Sequence, residues 1–178
     1  MTFEEKTISS ETIYKGAILN LRKDKVTIVN GETSYREIVE HKGGVAIAAV
    51  TADKKMVLVR QFRKAAGKDV MEAPAGKIED NEAPELTAKR ELKEETGYTA
   101  ENIQWISSFY SSIGYSEEVI HLYYATELSP GSTEFDDSEA LDLVELDIAL
   151  LKEMVLRGEI EDGKTIAAIM IAAAKEGL

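Results

Sequence analysis

The residues of this chain best able to do chemistry lie in one stretch, GKIEDNEAPELTAKRELKEETGY, from Gly76 to Tyr98. At about 100° per residue, Glu91, Glu94 and Glu95 would share an arc of roughly 100° on a helix, with Ala88 and Leu92 turned to the adjoining apolar side. Such crowding is unfavourable on stability grounds. Glu91 and Glu95 are like charges at i,i+4, and all three acids fall toward the negative end of the helix dipole. Arg90 neutralises only part of that charge. A hard divalent cation such as Mg²⁺ takes a few carboxylate oxygens together with phosphate oxygens and water, so the pattern points to metal-assisted chemistry on phosphates. An isolated Glu-Glu pair would read as a solvated acidic face; the spacing of the whole stretch favours the metal.

Positioning these acids requires a helix that starts and stops on time. Asp80, Asn81 and Glu82 supply helix-start chemistry, Pro84 suits a first turn, and Gly97 is placed to end a helix of about 13 residues. Upstream, residues 8 to 29 read as short strands, and Asn30-Gly31 signals a hairpin into TSYREIVEH. GVAIAAVT and KMVLVRQFR read as interior strands joined at Ala52 to Lys54. IQWISSFYSS and EVIHLYYATEL form a further pair, and LDLVEL a last strand. The period then changes: DIALLKEMVLRG reads as a helix ended by Gly158, and Asp162 to Gly177 as a second, with Ile166, Ile169, Met170 and Ala173 on its core face.

Composition narrows the class. The length of 178 residues, with 44% hydrophobic content, fits one domain. A net charge of -12 argues against a nucleic-acid surface and means that an anionic substrate needs help from metal ions and local cations. The absence of cysteine excludes disulfides, thiolate zinc sites and cysteine nucleophiles, and fits a reducing compartment. No basic leader followed by an apolar stretch opens the chain, and no apolar run approaches a membrane span, so a cytoplasmic protein is expected. His41 and His121, the two imidazoles, fall in strand-like contexts without a Ser/His/Asp pattern and are expected to be structural.

The stretch from Gly76 to Tyr98 resembles the Nudix hydrolase box at every defining position. REIVEHKGGVAIAAV, VRQFRK, MEAPAGKIE, FYSSIGYSEE and DDSEALDL extend the resemblance to the ADP-ribose pyrophosphatase branch. This implies an α/β fold, a Nudix-type α/β/α sandwich with a mixed sheet, plus an N-terminal antiparallel sheet. Residues 1–178 would form one Nudix domain, with strands in 1–42 making homodimer contacts and 43–178 the catalytic core. It further implies Glu91 and Glu95 as metal ligands with the Ala75 carbonyl, and Glu94 as a further ligand or a group just behind them. The ion would be Mg²⁺ or Mn²⁺. Gly76 lets the backbone approach closely, or serves as a plain turn glycine. Arg90 is expected to turn away from the acids toward Glu82, bracing the loop.

By the same resemblance, Glu139 is the late-loop metal ligand or base, with Asp137 as the substitute. Arg63 and Arg36 would meet the phosphate and nucleoside side of the substrate, Glu118 is a substrate-side acid, and Glu72 could hold a metal-bound water. Ile113 stands where the branch usually has proline. Tyr115 could stack on a base, although core packing is the commoner use of such aromatics. The implied activity is hydrolysis of ADP-ribose, or a related nucleoside diphosphate sugar, to AMP and ribose 5-phosphate. The alternatives are a Nudix enzyme of dinucleoside polyphosphates or nucleoside triphosphates, and a Nudix domain that senses a ligand without cutting it.

Overall fold

The computed structural model describes residues 3–132 and 141–178, so Asp137 and Glu139 lie outside the described residues. The chain divides into two compact units, Met1–Gly43 with Tyr110–Val119, and Gly44–Phe109 with Ile120–Leu178.

In the first unit β1 (Thr7–Lys15), β2 (Asn20–Thr27) and β3 (Thr33–Glu40) pair antiparallel in that order. The hairpin between β2 and β3 turns at Gly31, whose φ of +84° is a conformation that glycine adopts without penalty. All nine residues of β1 are exposed, Ile8, Ile13 and Tyr14 among them. Arg22 ties the unit together, bonding Asp24 at 3.0 Å, Glu40 at 2.5 Å and Glu117 at 2.9 Å.

The second unit contains β4 (Gly44–Val50), β5 (Lys55–Arg63), β6 (Lys68–Glu72), β7 (Ala75–Lys77), α1 (Pro84–Thr96), β8 (Thr99–Tyr110), β9 (Val119–Ser129), β10 (Leu141–Asp147), α2 (Ile148–Leu156) and α3 (Gly163–Lys175), apart from the ends of β8 and β9. Its sheet runs β10-β5-β4-β9-β8, with β6 beside β5 and β7 beside β4. Strands β4 and β9 are parallel, while β4–β5, β4–β7, β5–β6 and β5–β10 are antiparallel, which makes the sheet mixed.

Every residue of β4 is buried. Because side chains alternate across a strand, Val45, Ile47 and Ala49 pack with Ala88 and Leu92 of α1, whereas Ala46, Ala48 and Val50 pack with Ile148, Leu151, Ile169 and Ala172 of α2 and α3. The layers are therefore helix, sheet, helix pair.

Three local expectations are corrected. Helix α1 begins at an N-cap of Ala83 with no side-chain cap; Pro84 fixes the first turn, Asn81 adopts φ +65°, and Glu82 spends its carboxylate elsewhere. Strands β6 and β7 were not foreseen, being short and lacking alternation. Met170 is 37% exposed and lies off the core face that Ile169 and Ala173 share.

Candidate active site

Burial of Ala88 and Leu92 fixes the roll of α1, and this carries Glu91 and Glu95 to strand β7. The Glu95 side chain is buried and accepts a hydrogen bond from Ala75 N at 3.0 Å. Glu91 lies over Gly76 so closely that a Cβ there would overlap its carboxylate. Both acids thus meet the same short piece of backbone. That piece is fixed from several sides. Val45 pairs with Gly76 and Ala46 with Ala75, and Ile47 N donates to Pro74 O at 2.9 Å. The buried Thr165 hydroxyl accepts from Ala73 N at 2.7 Å and donates to Asp162 at 2.5 Å.

Arg90 forms the ion pair with Glu82, through Nε at 3.0 Å and Nη2 at 3.0 Å. It does not turn away from the other acids. Its Nη1 also donates to Glu91 at 2.7 Å and Glu94 at 2.9 Å, because five donors on a long stem reach both sides of the helix face. Bonding to Glu82 raises the Arg90 guanidinium above its ordinary value. In turn Arg90, ahead of Thr87, holds the Glu82 carboxyl down to about 2 from an ordinary 4.5. The stabilisation from Glu82 is therefore fully present above about pH 4.5 and lost only as pH falls through about 2. Replacing Arg90 with alanine is expected to lower kcat/KM about 100-fold by letting Glu91 and Glu94 drift, with lysine restoring little because it lacks the planar fork. Unchanged kcat/KM in Arg90→Ala, measured beside a thermal melt, would rule this out.

A cleft of about 520 Å³ is lined by the end of β5, β6, the loop between them, and the segment that leads into α3. Arg63 is engaged there, its Nε 2.5 Å and Nη2 2.9 Å from the two carboxylate oxygens of Glu72. Glu72 also accepts from Lys164 at 2.5 Å. Burial, the strongest influence, pushes the Glu72 carboxyl up, but Arg63 and Lys164 together more than offset it and leave it below the usual carboxylate range. Arg63 is raised, first by its bonds to Glu72, and the charges of Glu95 and Asp162 act on it as well. Of the α1 acids, Glu95 thus acts on the cleft through its charge on Arg63.

Among the described residues, no three His, Asp or Glu side chains already close into a cation cage. The donors present still fit a hard divalent ion, since Glu91 and Glu95 offer carboxylate oxygens beside backbone at Ala75 and the bare Cα of Gly76 leaves room for the approach.

Residues 40–169 match the NUDIX domain, and residues 5–39 match the nucleoside diphosphate sugar hydrolase N-terminal domain. The chain belongs to the Nudix family. It is 44% identical to a methanol dehydrogenase activator of Bacillus methanolicus, over 99% of this chain and 96% of the relative. To an ADP-ribose pyrophosphatase of Bacillus subtilis (strain 168) it is 42% identical, over 99% of this chain and 97% of the relative. A crystal structure of an ADP compounds hydrolase superposes with a TM-score of 0.85 at 19% identity, covering 98% of this chain and 95% of that one, a likeness of fold. The chain is thus a Nudix pyrophosphohydrolase, of a family that generally uses divalent metal.

The remaining expected Nudix site residues lie in the first unit. Arg36 of β3 pairs with Glu5 at 2.8 and 2.5 Å. Glu118 lies 3.3 Å from His41 Nδ1, which also accepts from Gly43 N at 3.0 Å. Ile113 is 79% and Tyr115 59% exposed, so Tyr115 is not a core aromatic. In the second unit His121 Nδ1 lies 2.7 Å from Ser108 Oγ. Sequence reasoning missed Lys164, Asp162 and Thr165. The signal available was Asp162-Gly-Lys-Thr at a helix start, where the Asp162 side chain accepts from Thr165 N at 3.0 Å.

Proposed function

We propose that this Nudix chain hydrolyses the pyrophosphate bond of ADP-ribose or a related nucleoside diphosphate sugar, giving AMP and ribose 5-phosphate from ADP-ribose. The observation that carries the substrate class is the match of residues 5–39 to the nucleoside diphosphate sugar hydrolase N-terminal domain, ahead of a box whose acids are intact. Glu91, Glu95 and the Ala75 carbonyl hold Mg²⁺ or Mn²⁺, with Glu94 as a further ligand or a group supporting them. A bound dication neutralises charge on the diphosphate and makes water a better nucleophile at neutral pH. Glu139, or Asp137 in its place, orients or deprotonates the attacking water. Arg63 grips a phosphate through its planar fork. Arg36 and Glu118 serve the nucleoside side, while Gly76, Glu82 and Arg90 keep the ligands in place.

The chain acts as a cytoplasmic homodimer, with no nucleic-acid or membrane partner. The exposed apolar residues Ile8, Ile13 and Tyr14 of β1 support a contact between copies, and the lack of cysteine suits a reducing compartment. No helix among the described residues is long and apolar enough to cross a membrane.

Identity to the methanol dehydrogenase activator favours a second reading, in which the same chemistry stimulates an alcohol dehydrogenase. A panel of nucleoside diphosphate sugars, dinucleoside polyphosphates and nucleoside triphosphates with Mg²⁺, scored for AMP and other nucleotide release, tests the proposal. Rapid ADP-ribose cleavage is expected. Cleavage of triphosphates alone, or binding without product, would overturn it, and stimulation of methanol dehydrogenase on addition of the chain would support the second reading.

A further inference from the structure

Glu72 is the most deeply buried carboxylate facing the cleft, with its side chain 4% exposed. It carries two cations of unlike freedom. Arg63 is 44% exposed at its side chain, whereas Lys164 is 17% exposed and held at the start of α3 by Glu72 at 2.5 Å and Asp162 at 3.0 Å. A buried carboxylate left without a counter-ion is costly, so a cation can leave it readily only if another remains.

We propose that Lys164 is a positioning residue that acts through Glu72: it remains as the standing counter-ion and so allows Arg63 to leave Glu72 for a substrate phosphate. This rests on the reading above that Arg63 receives a phosphate. Lys164 itself stays between its two acids and does not touch the substrate. Without Lys164, Glu72 would hold Arg63 back and phosphate affinity would fall. With glutamine at position 72 that hold disappears, and Lys164 becomes dispensable for binding.

Inorganic pyrophosphate in magnesium buffer is the probe, its affinity measured by calorimetry for the unmodified protein and for Lys164→Met, Lys164→Arg, Glu72→Gln and the Glu72→Gln/Lys164→Met pair. Lys164→Met should weaken binding about tenfold, the scale of one charge-assisted bond kept on the wrong partner. Lys164→Arg should restore affinity, and Lys164→Met should cost less than about twofold once Glu72 is glutamine. Should Lys164→Met not fold, Lys164→Gln, a neutral donor, provides the same comparison. Native affinity in the position 164 variant, an equal loss in the Glu72→Gln background, or no pyrophosphate binding by the unmodified protein would overturn the proposal. On ADP-ribose, Lys164→Met should raise KM more than it lowers kcat. If the unmodified protein binds pyrophosphate yet cleaves no nucleoside diphosphate sugar, the functional reading fails while the binding series still decides the role of Lys164.

Discussion

Changing Glu95 to glutamine should lower kcat/KM on the order of a thousandfold while leaving the fold intact. The carboxylate is proposed to hold a dication, which would supply several kcal/mol of transition-state stabilisation, and each 1.36 kcal/mol is about tenfold in rate. The amide keeps an oxygen that can still accept from Ala75 N, the bond seen at 3.0 Å, so the backbone tie survives while the anionic charge is lost. Steady-state kinetics at saturating Mg²⁺, together with a thermal melt, separate the two effects. A variant with native kcat/KM would remove Glu95 from metal binding, and one that simply unfolds would reassign it to holding β7 in place.

The second large effect is expected from one added methyl group. In Gly76→Ala the new Cβ would occupy the space of the Glu91 carboxylate, and Gly76 itself is held in the sheet by its pairing with Val45 of β4. Glu91 must therefore rotate away, and a displacement of about 1 Å is enough to cost roughly 100-fold in rate. The Mg²⁺ concentration needed for half-maximal activity should rise in parallel. Native kinetics in this variant would mean that Glu91 works from another position and that Gly76 is only a turn residue.

The extent to which the site could be read from sequence follows the range of its interactions. Helix α1 was legible to the residue at its end, where Gly97 takes φ +74°, because helix periodicity and a left-handed terminus are local properties. At its start Pro84 lies in the first turn as expected, but the cap was not legible: none of the polar residues before it caps the helix, and Glu82, expected to pair with Arg90, accepts from Thr87 as well. Arg90 was expected to serve one acid and serves three, since a guanidinium's reach depends on the rotamers of its neighbours. Lys164 was invisible as a partner of Glu72, being 92 positions away. Their meeting depends on how α3 packs over the sheet, a long-range event that no window of sequence encodes.

Strand β4 is a partition one residue thick, with alternate side chains wedged into the helix on either side. Loosening α1 would strip the apolar cover from one row of those side chains, and the other row belongs to the same backbone. Heat should therefore melt α1 and the C-terminal pair in a single step.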